Sequence, residues 1–315
     1  MRRRNFLGVS LVALAALGAL IVGTTTPAAE HKDHNRTISV NFDEGKPLTD
    51  CSQVKITFGD GHTARSEEQI TIPLAQVATL TAHASKNGGV YVQGADRRDY
   101  LVKACKAAGA DSLAEAQRIL GRLSLGRDGN VVIPRGPADD DDWVVYLLIQ
   151  APRSSSLDLE AHNGGIGLRD FSGKANVHVE NGPLGLYNTS GEIRAEAHNG
   201  PISVKGGSGN LHLRAQNGPI SVELTGTQWQ GGSLDVHGTN GPLELDLPEG
   251  YRSGVRVEAR GYSPFSCSAE ACAAARKDWD DQNRSVQFGS APLVVRLSTV
   301  NGPVSIGSRR SKASL

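Results

Sequence analysis

Glycines recur every nine residues, at Gly164, Gly173, Gly182, Gly191, Gly200, Gly209 and Gly218, and this spacing constrains the fold more than any other feature. The residue before each alternates between Asn and Ser: Asn163, Ser172, Asn181, Ser190, Asn199, Ser208, Asn217. Apolar or small residues follow two and four positions after each glycine, as in Ile202 and Val204 or Leu211 and Leu213. After the Ser-Gly pairs a third follows at six: Val179, Ala197, Ala215. Alternation with period two means strand. Asn-Gly and Ser-Gly are turn pairs, in which Gly supplies positive φ at no steric cost. Pro after Asn-Gly falls on the first strand residue, where a missing backbone donor is tolerated.

An Asn-Gly pair between strands ordinarily signals a hairpin. A meander, however, has no need for every second turn to be identical. Stacked turns do, because each column then repeats its residue. The predicted architecture is all-β: a parallel β-solenoid of about six two-strand coils, one per eighteen residues, spanning 151–307. Strands would stack about 4.8 Å apart, and the crossover rule favours a right-handed path. Positions +2 and +4 should point inward and +3 and +5 outward. The phase extends back to Leu157, Leu159 and Ala161. It returns at Gly232 after five extra residues around TGTQWQGG, and again at Val295–Ile306 after an insertion spanning 261–290. A short helix could form in that insertion, at AEACAAARKDWD.

Residues 30–150 read as an irregular β-rich cap over the open end of the array, whose strand edges would otherwise be unpaired. Within it, KNGGVYVQG echoes AHNGGIGLR and suggests an early coil. A helix is expected near 111–121, capped by Asp111 or Ser112. SLGRDGNVVI suggests a hairpin turning at Asp128-Gly129, and WVVYLLIQAP a fully apolar strand leading into the regular array.

Arg2, Arg3 and Arg4 precede the apolar run FLGVSLVALAALGALIVG and the small-residue stretch TTTPAAE. This is the layout of a signal peptide, residues 1–29, cut after Ala28 or Ala29. The run is also long enough for an uncleaved anchor. Arg3-Arg4 resembles the twin-arginine export signal, although the apolar run suits general secretion better. Four cysteines in an exported chain point to disulfides, with Cys51 paired to Cys105 and Cys267 to Cys272. The basic tail 308–315 is expected to be disordered.

Net charge is zero, which excludes the basic field of a nucleic-acid binder, and no second long apolar run suggests a membrane span beyond the signal segment. Calcium binding in the turns would require a recurring in-phase Asp, and none recurs. The run Asp139–Asp142 reads as a solvated loop, and His31, Asp33 and His34 as a polar terminus. Glycan hydrolysis would require converging carboxylates. The outward columns instead alternate in sign: Glu160, His178, Glu196, Arg214, His237, Ser298 in one, and Asp158, Asn176, Arg194, His212, Asp235, Arg296 in the next. Opposite charges on neighbouring strands are simply favourable. The column Asn163, Asn181, Asn199, Asn217, Asn240, Asn301 could bind sugars, but reads first as an internal amide ladder that satisfies turn groups. The outward column Gly167, Gly185, Ser203, Ser221, Glu244, Ser305 is mostly small and flat, and should lie under a loop or a partner. No catalytic residue, metal ligand or cofactor is assigned.

The phrase IQAPRSSSLDLEAHNGGIGLRDFSGKANVHVENGPL, followed by serial NGPIxV and SGxLxLxA phrases, resembles the bacterial "putative adhesin" family of unknown function over roughly residues 70–307. The resemblance implies an exported β-solenoid of the cell envelope and brings no catalytic residues. The expected function is therefore non-enzymatic adhesion or envelope interaction, with envelope or surface glycans or proteins as partner classes. The alternatives are a periplasmic sensing or structural module and a carbohydrate-active enzyme on a β-helix.

Overall fold

The computed structural model describes residues 38–41, 46–137, 142–260, 263–280 and 282–308. Residues 1–29, where a signal peptide is expected, His31, Asp33, His34, Asp139 to Asp141 and residues 309–315 lie outside them. The described chain is all-β apart from one α-helix, α1 (Leu113–Leu120), and short 3-10 turns. Two large, mostly parallel sheets hold 12 and 11 strands, and a separate antiparallel pair joins Ile38–Asn41 to Lys55–Phe58.

The two kinds of nine-residue phrase are sorted between the two sheets. Ser-Gly phrases form the strands Lys174–Asn181, Glu192–Asn199 and Asn210–Asn217 of the larger sheet. Asn-Gly phrases form Leu184–Tyr187, Ile202–Lys205 and Ile220–Glu223 of the other. Each strand pairs in parallel with its counterpart eighteen residues on, so that Ile193 faces Leu211 and Ile202 faces Ile220. The register survives both interruptions: Leu211 pairs with Leu234, and Leu234 with Val295. Extra residues leave through the turn, where Trp229 is buried and its indole donates to the Gly209 carbonyl at 2.9 Å.

Backbones stacked this closely leave no room for side chains at the turns. A Cβ on Gly200 would lie 2.1 Å from the Gly182 carbonyl oxygen. One on Gly191, which has φ +91°, would lie 2.2 Å from that of Gly173. Any other residue would force the strands apart, which is why glycine recurs in the column.

The core fills the space between the sheets. Ile202, Val204, Leu211 and Leu213 are each 0 or 1% exposed. Burial of each such side chain contributes about 1.5–3 kcal/mol. The large aliphatics alternate with Ala195, Ala197 and Ala215, and this lets the two sheets approach each other.

Both ends of the sheets depart from sequence order. Thr79–His83 and Val90–Ala95 pair with Ser156–Ala161 and Ile166–Arg169, so the KNGGVYVQG segment does extend the array. Beyond them lie Val131–Arg135 and Trp143–Pro152, and then antiparallel strands. At the other end, Ser290–Asn301 lies between Leu234–Asn240 and Ser253–Arg260, parallel to both. Val304–Ser308 likewise lies between Leu243–Leu247 and Phe265–Cys267. The last repeat phrase is therefore interior to the stack, and the preceding residues form the end.

The described part of the insertion 261–290 forms no α-helix, and the expected short helix is reduced to a single turn. It holds a 3-10 turn, Glu270–Cys272, and the antiparallel strands Arg276–Trp279 and Asn283–Phe288. The Cys267–Cys272 bridge closes a loop too short for a helix, and the adjoining sheet edge offers hydrogen bonds that a helix would leave unused. The predicted hairpin at 124–135 is present, but its turn is Gly129-Asn130: Asp128 is already paired with Val131, and Gly129 has φ +59°. Helix α1 begins where Ser112 accepts from the Glu115 amide at 3.2 Å, and it buries Ala116 and Ile119.

Candidate functional site: a glycine-floored groove

Three outward columns run along the smaller sheet. The first reads Tyr146, Gly89, Gly165, Pro183, Pro201 and Pro219, and the second Leu148, Tyr91, Gly167, Gly185, Ser203 and Ser221. The third reads Gln150, Gln93, Arg169, Tyr187, Lys205 and Glu223. In the regular repeats the first column is Pro and the second is Ser except at Glu244. Gly165, Gly167 and Gly185 break that rule, and the sheet is hollowed where they meet. The hollow has a volume of about 500 Å³ and is bounded by Tyr91, Tyr146, Tyr187, Leu48 and Pro183. This is within the range of sites for small organic ligands, about 300–1,000 Å³.

The aromatic walls depend on the glycines. A Cβ at Gly185 would fall 2.6 Å from Cε2 of Tyr187, one at Gly167 2.9 Å from Cδ2 of Tyr91, and one at Gly89 2.8 Å from Cε1 of Tyr146. Each ring therefore lies in the space that a side chain would take. Tyr91 is buried, whereas Tyr146 and Tyr187 are half-buried and face the hollow.

The remaining wall comes from a distant segment. Residues 46–58 fold over the outward face of this sheet, packing Leu48, Val54, Ile56 and Phe58 on Tyr91, Val144 and Leu148. The disulfide Cys51–Cys105 anchors that segment, as does the Asp50–Lys103 ion pair at 2.7 Å. Hydrogen bonds from Lys103 and from the Ser52 amide hold the Asp50 carboxyl far below the usual carboxylate range. The predicted cover for the flat column is thus a loop at one end of it, and the groove opens where the loop stops.

Polar groups at the rim are arranged by the same stacking. The Arg169 guanidinium donates to the Tyr91 hydroxyl at 2.8 Å and stands 4.6 Å from the centre of the Tyr187 ring. Burial pushes the Tyr91 phenol above its ordinary value, and the Arg169 hydrogen bond partly opposes this. Burial also raises Asp170, but hydrogen bonds from Gln93 at 3.0 Å and Asn188 at 2.6 Å, with the charges of Arg153 and Arg169, outweigh it and hold that carboxyl low. Burial pushes the Tyr146 phenol up, and its hydroxyl has no hydrogen-bond partner among the described residues.

The asparagine column is an amide ladder, but an exposed one and not internal as expected, because the turns that carry it lie at the edge of the stack. Asn181 donates to Asn163 at 3.0 Å, Asn199 to Asn181 at 2.9 Å, Asn217 to Asn199 at 3.0 Å, Asn240 to Asn217 at 2.9 Å and Asn301 to Asn240 at 3.0 Å. Asn87 adds a rung that the sequence reading left out, accepting from Asn163 at 3.2 Å. Asn163 and Asn181 also border the groove. Both expected disulfides form.

The other polar surface is the outward face of the larger sheet. There the carboxylates meet bases: Glu192 pairs with Lys174 and Arg194, Glu180 with His178 and His198, and Asp235 with His212 and Arg296, at 2.6–3.6 Å. Burial, then the charges of Arg214 and Arg260, lower the pKa of His237. Among the described residues no three His, Cys, Asp or Glu side chains converge as a metal site.

No family model matches the chain, and no curated protein does. Among solved structures it is similar to a protein of Clostridium sporogenes described as a "putative cell adhesion protein", with 10% identity, 78% of this chain and 100% of that one covered, and a TM-score of 0.30. A "putative adhesin" of Bacteroides fragilis shares 9% identity over 78% of this chain and 97% of its own, with a TM-score of 0.26. A "putative lipid binding protein" of Parabacteroides distasonis shares 10% identity over 78% and 97%, with a TM-score of 0.31. Likeness at this level carries no argument about the groove or its ligand.

Proposed function

We propose that the chain is an exported, non-enzymatic β-solenoid that acts in adhesion or other envelope interactions. The regular phrases alternate between two sheets and advance one strand per eighteen residues, as a flattened coil would. About six regular coils and a right-handed path belong to this reading. The observation that carries the non-enzymatic part is the outward face of the larger sheet. Glu180, Glu192 and Asp235 are each paired with neighbouring bases, whereas glycan hydrolysis needs two carboxylates across one bond. Two disulfides suit an oxidising compartment outside the cytoplasm.

The test is protease treatment of intact cells, followed by detection of this chain. Cleavage without lysis supports surface adhesion. Protection until the envelope is opened would replace adhesion with a periplasmic structural or sensing role.

A further inference from the structure

We infer that the groove between Tyr146 and Tyr187 is a binding site for a neutral hexopyranose unit of an envelope or surface glycan. The inference rests on the proposed role in envelope interactions and adds a ligand class and a place to it.

Three features of the groove select this chemistry. The first is shape. The floor is bare backbone at Gly165, Gly167 and Gly185, and the rings of Tyr187 and Tyr146 lie against glycines and not against each other. A flat, rigid ligand with an apolar face fits a bare floor between aromatic walls, and an aromatic wall offers large contact area at little entropic cost. The second is charge. Among the described residues no acid or base lines the groove. At the rim the Arg169 charge is offset by that of Asp170, which also accepts from Gln93 and Asn188. A charged ligand would enter without a counter-ion, which is costly.

The third is the polar edge. The Tyr146 hydroxyl lacks a partner among the described residues, and a phenol can both donate and accept. Asn163 and Asn181 each use one amide N–H in the ladder, and a primary amide carries two. The rim therefore offers hydroxyl and amide groups to a ring whose edge is all hydroxyls. A lipid chain would leave those groups unmatched. The hollow also falls where the repeat rule is broken: Gly165 replaces the proline of later phrases, and Gly167 and Gly185 replace serine. Backbone pairing is satisfied with Pro and Ser at Pro201 and Ser203, so the glycines here serve the tyrosine rings, which need the room.

The test is a titration of the purified protein with cellobiose, maltose and N,N′-diacetylchitobiose, read by amide chemical shifts. Glucuronate and dodecanoate serve as the charged and lipid probes. At least one neutral disaccharide should shift the amides of Gly165, Gly167 and Gly185 and leave those around His178 and His198 in place. Tyr187→Ala should weaken that binding at least tenfold. Tyr146→Phe, which keeps the ring against Gly89, should weaken it several-fold at an unchanged melting temperature. The inference is overturned if none of the three sugars shifts the groove, if the shifts fall on the larger sheet, or if dodecanoate or glucuronate binds there more tightly. Failure here with the chain still cleaved on intact cells removes the ligand and leaves the envelope role standing.

Discussion

Replacing Ile202 with Asp probes the inward register of the whole array. Ile202 is 1% exposed and sits mid-stack, paired with Leu184 on one side and Ile220 on the other. Loss of the buried aliphatic group costs about 2–5 kcal/mol. A carboxyl that stays protonated yet finds no partner adds about 1–3 kcal/mol. The sum, about 3–8 kcal/mol, rivals the whole stability of an ordinary domain, about 5–15 kcal/mol.

The substitution also carries a pH signature. Burial raises the folded-state pKa of the new carboxyl above its unfolded value of about 3.9. Between those two values the folded state holds a proton that the unfolded state has released, so stability falls as pH rises, by about 1.4 kcal/mol per unit. Below pH of about 4 this extra cost vanishes. Ile202→Asn has a similar shape and does not titrate, so its deficit should stay flat. Ser203→Asp lies one residue on, facing outward, and should cost little, because a shift of one residue changes the face. Chemical denaturation from pH 4 to 7 separates the three variants. If Ile202→Asp unfolds with the wild type, or if Ser203→Asp is the more damaging, the assignment of inward positions is refuted.

Three further outcomes follow from other parts of the molecule. Asn199→Ala removes two amide hydrogen bonds, at 2.9 and 3.0 Å, and should cost about 1–3 kcal/mol, with faster amide exchange in the neighbouring turns; unchanged exchange would mean the ladder is ornamental. Removing Cys51–Cys105, which spans 54 residues, should cost about 4 kcal/mol by loop entropy, against about 2 kcal/mol for Cys267–Cys272, which spans 5, and equal losses in denaturant would reject that account. Asp50 has its pKa lowered by Lys103, so its stabilising contribution is present above the unfolded value of about 3.9 and is lost as pH falls below it. Wild type and Asp50→Asn should therefore differ in melting temperature at neutral pH and converge toward pH 2, and a gap that persists in acid would show that the carboxylate charge is not what matters.

The repeat itself was legible because its causes are local and periodic. Alternation marks strands, glycine marks turns where backbones touch, and a column that must repeat its residue shows as an identity every eighteen positions. Ile202, Gly200 and Asn199 could thus be assigned to core, contact and ladder by counting. The strand Trp143–Pro152 was legible for a related reason: its apolar run marks a strand, and most of its residues are buried.

The groove was half visible. Its signal is a departure from the repeat, Gly165 for Pro with Gly167 and Gly185 for Ser, and the reading noted only a flat face. Its walls could not be read, because Leu48 and Tyr146 are far from those glycines in sequence and no local pattern ties them together. The same holds for Ser290–Asn301, which follows the insertion in sequence and yet lies inside the stack. Periodicity sets which residues face inward and which strands can share a register. Which strand meets which edge, and where the surface is left open, depends on long-range pairing and on shape, and these are settled only when the whole chain packs.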